Sequence, residues 1–253
     1  MRLWAKGERE VGGKREQHAR KLLLFLAFAV IMAVLPGNCV FAEGMNHTLV
    51  IDPGHGGLDG GASAADGTAE SGINLAIAQR VWLLTRLFGV DARLTRDSET
   101  LDYPADAHTV HEKKLWDQKS RVALIESIDG AALLSIHQNR FPDSRPSGSQ
   151  ALYARTAGSE AWAKLTHAAL IQALCPENRR VAAPISEDVF LLRSVTCPAI
   201  LVECGFLSNP AEAERLKTDA CQRRIAVVLF ATFLEWESQY EREDEILLHG
   251  MRQ

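Results

Sequence analysis

The chain of 253 residues is 47% hydrophobic and 24% charged, the balance of a globular protein with a sizeable core, which excludes a coiled coil or a disordered tract. Seven of its 28 basic and three of its 32 acidic side chains fall within residues 1–21, so the part after residue 42 keeps 21 basic against 29 acidic groups and a formal charge of −8. A domain of that sign is not built for nucleic acid, which calls for basic surface.

The basic stretch ending at Arg20-Lys21 runs into an apolar segment, Leu22 to Pro36, and then into Val40-Phe41-Ala42. Basic, apolar, then small residues at the cleavage positions is the pattern of a secretory signal peptide over residues 1–42, cut after Ala42. The apolar run is shorter than the ~20 residues a spanning helix needs, and only a retained leader would tie the protein to a membrane. The expected location is therefore exported and extracytoplasmic. Export permits disulfides among Cys175, Cys197, Cys204 and Cys221, but no CxxC pair occurs. Cys197 and Cys204 sit in or beside apolar runs and read as buried small hydrophobes.

The first element of the exported part is LVIDPGHGGLDGG, Leu49 to Gly61. A β-branched run ends in Asp52-Pro53-Gly54 and passes into glycines on both sides of His55, so a buried strand delivers an imidazole into a tight loop. Ser71 to Phe88 shows the i, i+3, i+4 apolar recurrence of a helix, stopped by Gly89, and Val90 to Thr95 alternates as a second strand. Residues 96–116 are polar and read as a long loop; their HTVHE sequence lacks the HExxH spacing that sets two imidazoles around a glutamate on one helical face. Asp117 to Ser127 is predicted as a helix, and Ala131 to Ser135 as a buried strand ending in Ile136-His137-Gln138-Asn139.

Gly148 to Ala154 reads as a strand, Ser159 to Leu174 as a helix, 176–184 as a loop and Val189 to Leu192 as a short strand. Ala199 to Val202 is the last buried strand and ends in Glu203, a carboxylate where the earlier strands held histidines. Asn209-Pro210 opens a helix. Asp219 with Gln222 resembles a capping box for a terminal helix to about Trp236, after which a charged tail frays. The pattern predicts one α/β domain over 43–240, a twisted, mostly parallel sheet of about six strands with helices on both faces, and a tail over 241–253.

Open parallel sheets place ligands at the carboxyl ends of their strands, so His55 and His137 are expected to converge. Two histidines with a nearby acid are the ingredients of a catalytic zinc site, which takes three protein ligands and keeps one position open. Glu70 is the first choice for the third ligand, with Asp52, Asp59 and Asp66 as competitors; Asp52 is better suited to closing its own turn or orienting a ligand histidine. Serine chemistry is the other option, but no GxSxG elbow occurs. Asn139 and Arg193 are lesser candidates for holding substrate.

IDPGHGG, a glutamate before INLAIA, SIHQN and VECGFLSNP, in that order, resemble the zinc-dependent N-acetylmuramoyl-L-alanine amidases, which cut between glycan and stem peptide in peptidoglycan. The resemblance implies one zinc per domain on His55, Glu70 and His137, and Glu203 as catalytic glutamate. Residues Arg179 to Val195 are similar to the germination-specific branch, which works on the spore cortex. Gln138 and Arg140 stand where small or apolar residues are commoner in the family, as does Cys204 in VECG. The resemblance implies peptidoglycan as the partner of a monomer and leaves room for an activator protein. A zinc peptidase of related fold and a non-catalytic wall-binding module are the competing functions.

Overall fold

The apolar runs at 49–51, 131–136 and 199–202 have no polar face, and only the middle of a sheet covered on both sides can bury them. The computed structural model describes residues 45–250, and side chains for 45–240; the expected leader lies outside the described residues. The three runs become adjacent parallel strands: β1 (Thr48–Pro53), β3 (Ala131–Asn139) and β6 (Ala199–Phe206). With β2 (Ala92–Leu94), β4 (Gln150–Tyr153) and β5 (Ala183–Pro184) the sheet order is β2-β1-β3-β6-β4-β5. β4 runs antiparallel to β6 and pairs in parallel with β5, so a parallel block carries a reversed edge pair. The α/β sheet is the one predicted.

Alternation along each strand divides the core between two faces. Leu49, Ile51, Leu134, Ile136, Ile200 and Val202 face one side, under α1 (Glu70–Phe88), α3 (Ser159–Leu174), α5 (Pro210–Leu216) and α6 (Asp219–Gly250). Val50, Leu133 and Leu201 face the other, under α2 (Val110–Glu126) and α4 (Phe190–Ser194). Each fully buried aliphatic side chain contributes roughly 1.5–3 kcal/mol. Trp162 of α3 stacks on Trp236 of α6 at 4.8 Å between centroids, with Phe233 against both.

Several boundaries differ from expectation. Residues 110–116 are helix, because Thr109 accepts the Glu112 N–H while Glu112 accepts the Thr109 N–H, a capping box that starts α2 seven residues early. The segment expected as a strand at Val189–Leu192 overlaps α4; four apolar residues carry no period that separates the two states. Ala183–Pro184, inside the expected loop, forms β5. The cap of α6 is Thr218, whose Oγ1 accepts the Cys221 N–H, whereas Gln222 reaches back to the Leu216 carbonyl. That helix continues to Gly250 rather than fraying at Glu237. Glu237 is buried and accepts the Asn46 and His47 N–H groups and the His47 ring, clasping the segment before β1 to α6. Cys175, Cys197, Cys204 and Cys221 are free thiols, with Cys204 and Cys221 buried.

Candidate metal centre

Where β1 leaves the sheet its carbonyls lose their ladder partners, and buried carbonyls need replacements. Two buried arginines supply them. Arg96, just after β2, donates to the carbonyls of Pro53, Gly54, His55 and Ser71. Arg121, on the buried side of α2, donates to Pro53 and His55 and pairs with Asp52 at 2.7 Å and Asp117 at 2.9 Å. This clamp holds His55 at φ 60°, a conformation that costs most non-glycine residues about 1–3 kcal/mol. Asp52 also accepts from Thr95 and Ser135. Burial opposes its charge, but Arg121 and these hydroxyls prevail and hold it at about 2.

The other end of the loop delivers Glu70 as the first residue of α1. The Glu70 carboxylate is 2% exposed and accepts from the Ala62 and Gln138 N–H groups and from Asn74. Its Oε1 lies 3.0 Å from His137 Nδ1 and its Oε2 lies 3.5 Å from His55 Nε2. Burial works against ionisation, yet the His137 contact and the donated N–H groups hold Glu70 at about 2. The remaining His55 nitrogen, Nδ1, is 2.9 Å from Asp59, which Lys114 also pairs at 2.9 Å. The ligating atoms offered by His55, Glu70 and His137 all lie within 4.8 Å of one another. A Cβ on Gly54 would stand 2.2 Å from His137 Nε2, and one on Gly61, at φ 69°, 2.6 Å from Glu70 Oε2. Both positions must be glycine for the three side chains to meet.

Glu203 lies inside β6, paired in register with His137 of β3, so both side chains leave the same face of neighbouring strands. Its Oε2 is buried with no hydrogen-bond partner. Burial, reinforced by Glu70, pushes its carboxyl up to about 7 despite the neighbouring imidazoles. A buried polar atom left bare is uncommon and calls for a guest. Two imidazoles and one carboxylate form the donor set that zinc takes and that calcium or magnesium, with all-oxygen shells, do not. The residues present thus fit a zinc ion.

The structure gathers His55, Glu70, His137 and Glu203, with Asn139 two residues beyond His137 at the end of β3. It does not bring Arg193 there. Arg193 sits on α4, bonded to the Glu187 carbonyl, and lines a groove of about 270 Å³ with Arg155 and Thr156 at the opposite end of β6. Asp52 pairs with Arg121 rather than with either histidine, Asp59 is the acid beside His55 Nδ1, and Asp66 pairs with Lys217. Arg96, Arg121 and Asn74, which order the loop and Glu70, belong to no motif in the sequence. For Arg121 one signal existed: it stands four residues before buried Ile125 and four after Asp117, a charge on an apolar stripe with its own counter-ion.

The chain matches the family model described as N-acetylmuramoyl-L-alanine amidase over residues 49–231. It is 33% identical over 189 residues to the germination-specific N-acetylmuramoyl-L-alanine amidase of Bacillus subtilis, covering 74% of this chain and 78% of that protein. It is 27% identical to the Escherichia coli amidase AmiA, over 74% and 75% of the two chains. Among solved structures, the CwlD amidase of Clostridioides difficile, determined in complex with the GerS lipoprotein, superposes with a TM-score of 0.73 at 31% identity, over 76% of this chain and 98% of that one. The AmiC2 amidase of Nostoc punctiforme gives 0.64 at 26% identity, over 76% and 97%. The match runs through the strands, loop and helix that carry His55, Glu70, His137 and Glu203, and this chain belongs to the N-acetylmuramoyl-L-alanine amidase family.

Proposed function

We propose that this amidase cuts the bond between N-acetylmuramic acid and L-alanine with one zinc ion held by His55, Glu70 and His137, that Glu203 carries the proton, and that its substrate is spore-cortex peptidoglycan. The observation behind this reading is the meeting of two imidazoles and a carboxylate beside a buried carboxylate oxygen that has no partner. When bound, zinc supplies a Lewis acid that acidifies water and polarises an amide carbonyl. The chain's own residues do the rest. Asp59 fixes the tautomer and orientation of His55, and Glu70 is kept anionic by the N–H groups it accepts. Glu203 Oε2 takes a proton from water and returns it to the alanine nitrogen as that group leaves, a task worth about 10²- to 10⁴-fold. Asn139, at the end of β3, is the lesser candidate for holding the substrate beside this centre, and Arg193 lines a different groove.

The cortex assignment is supported by the germination-specific name of the Bacillus relative. Export through the leader over residues 1–42, with the catalytic domain over 43–240, belongs to the same proposal; among the described residues no helix is long and apolar enough to cross a membrane. The complex in which the Clostridioides amidase was solved supports a lipoprotein partner here too, in the place left for an activator protein.

Two variants separate ligand from proton carrier. Glu70→Gln replaces an anionic ligand by a poor neutral one and is expected to lose zinc and activity together. Glu203→Gln is expected to keep zinc while turnover falls by roughly 10² or more. Metal analysis and release of new alanine N-termini from peptidoglycan are the readouts. Metal-free Glu203→Gln beside zinc-loaded Glu70→Gln exchanges the roles; activity that survives exhaustive chelation ends the zinc reading.

A further inference from the structure

Each segment that carries a residue of the candidate metal centre continues into one wall of a neighbouring groove of about 500 Å³. The His55–Glu70 loop supplies Ser63, Ala64 and Ala65; the chain beyond β3 supplies Arg140 and Phe141; the chain beyond β6 supplies Leu207 and Ser208. The walls are tied together, since the Leu207 N–H donates to the Asn139 carbonyl at 2.8 Å and the Phe141 N–H to Ser208 Oγ at 3.1 Å. A substrate reaching the carboxyl ends of β3 and β6 has this channel directly beside it.

The lining is unusual for a domain of net negative charge. It contains no carboxylate, three serine hydroxyls counting Ser144, and one charge, Arg140, whose guanidinium has no ion pair or hydrogen-bond partner among the described residues. Phe141 is 55% exposed. An unpaired planar donor next to an exposed ring and small hydroxyls suits an extended peptide bearing carboxylates and short aliphatic groups. Arg140 is also a residue at which this chain departs from the amidase pattern.

We infer that this groove receives the stem peptide of the substrate, with Arg140 pairing a free carboxylate beyond L-alanine and Phe141 covering the adjoining aliphatic part. The inference rests on the amidase reading above and adds a determinant of peptide preference. The zinc-loaded full chain is assayed on two muropeptides identical except that the carboxyls beyond L-alanine are free in one and amidated in the other. Wild type is expected to favour the free acid about 10-fold in kcat/KM. Arg140→Ala is expected to raise KM for the acid about 10-fold with kcat and zinc content unchanged, to leave the amidated substrate unaffected, and Arg140→Lys to recover part of the loss. Equal KM values for the two substrates in wild type, or an Arg140→Ala variant that still prefers the acid, overturns the assignment. Failure of the amidase reading looks different: wild type then cleaves neither muropeptide, and both ideas fall.

Discussion

The two halves of the centre are built on opposite principles. On the β1 side nearly every polar atom is spoken for: the carbonyls of residues 53–55 by Arg96 and Arg121, Glu70 by two backbone N–H groups, His55 Nδ1 by Asp59. On the β6 side Glu203 presents a buried oxygen with nothing bonded to it. Groups that hold a metal gain from being immobilised beforehand, because ordering them at binding costs affinity. A group that must accept and return a proton has to keep a lone pair free.

That contrast can be broken most severely from the clamp. Arg121→Ala leaves Asp52 charged and unpaired beneath the loop, and is expected to lower unfolding free energy by about 3–5 kcal/mol in chemical denaturation. A loss under 1 kcal/mol means the clamp is incidental. Asp59→Asn keeps the shape but puts a neutral amide opposite His55 Nδ1 in place of a carboxylate, so zinc affinity in a competition titration is expected to drop about 10- to 100-fold with the denaturation midpoint of the metal-free protein unchanged. Acid gives a smaller and graded test. Asp52 is held at about 2 in the fold against an ordinary value near 3.8, so its contribution is complete above that ordinary value and disappears as pH falls through about 2. The expected loss is about 2 kcal/mol, and Asp52→Asn is expected to flatten that part of the stability-against-pH curve.

The sheet and the ends of its three central strands were legible because apolar runs stop abruptly just before His55, His137 and Glu203, and a run without a polar face has few places to go. The strands proved longer, so His137 and Glu203 are ladder residues in register rather than loop residues. Arg121 had Asp117 four residues before it, whereas Arg96 was opaque for a physical reason: an arginine is buried only when its donors are satisfied, and here its partners are carbonyls, which look alike at every residue. Glu237 hid in the same way, reading as the start of a solvated tail because its partner His47 lies at the other end of the domain. The start of α2 was legible in Thr109 and Glu112 at capping-box spacing, but the polar run around them masked it.

The order in which the strands assemble has a consequence for when this hydrolase becomes dangerous to its own cell. His55 follows β1, Glu70 opens α1, and His137 and Glu203 lie on β3 and β6; the three strands are neighbours in the sheet but far apart along the chain, and β6 is the last of them to be made. A chain emerging from a ribosome or a translocation channel carries these groups dispersed: His55, Glu70 and His137 can meet only once β3 pairs with β1, and Glu203 joins them only when β6 pairs with β3. The buried carboxylate is thus the last of the four groups to reach the centre, because its strand follows the other three along the chain.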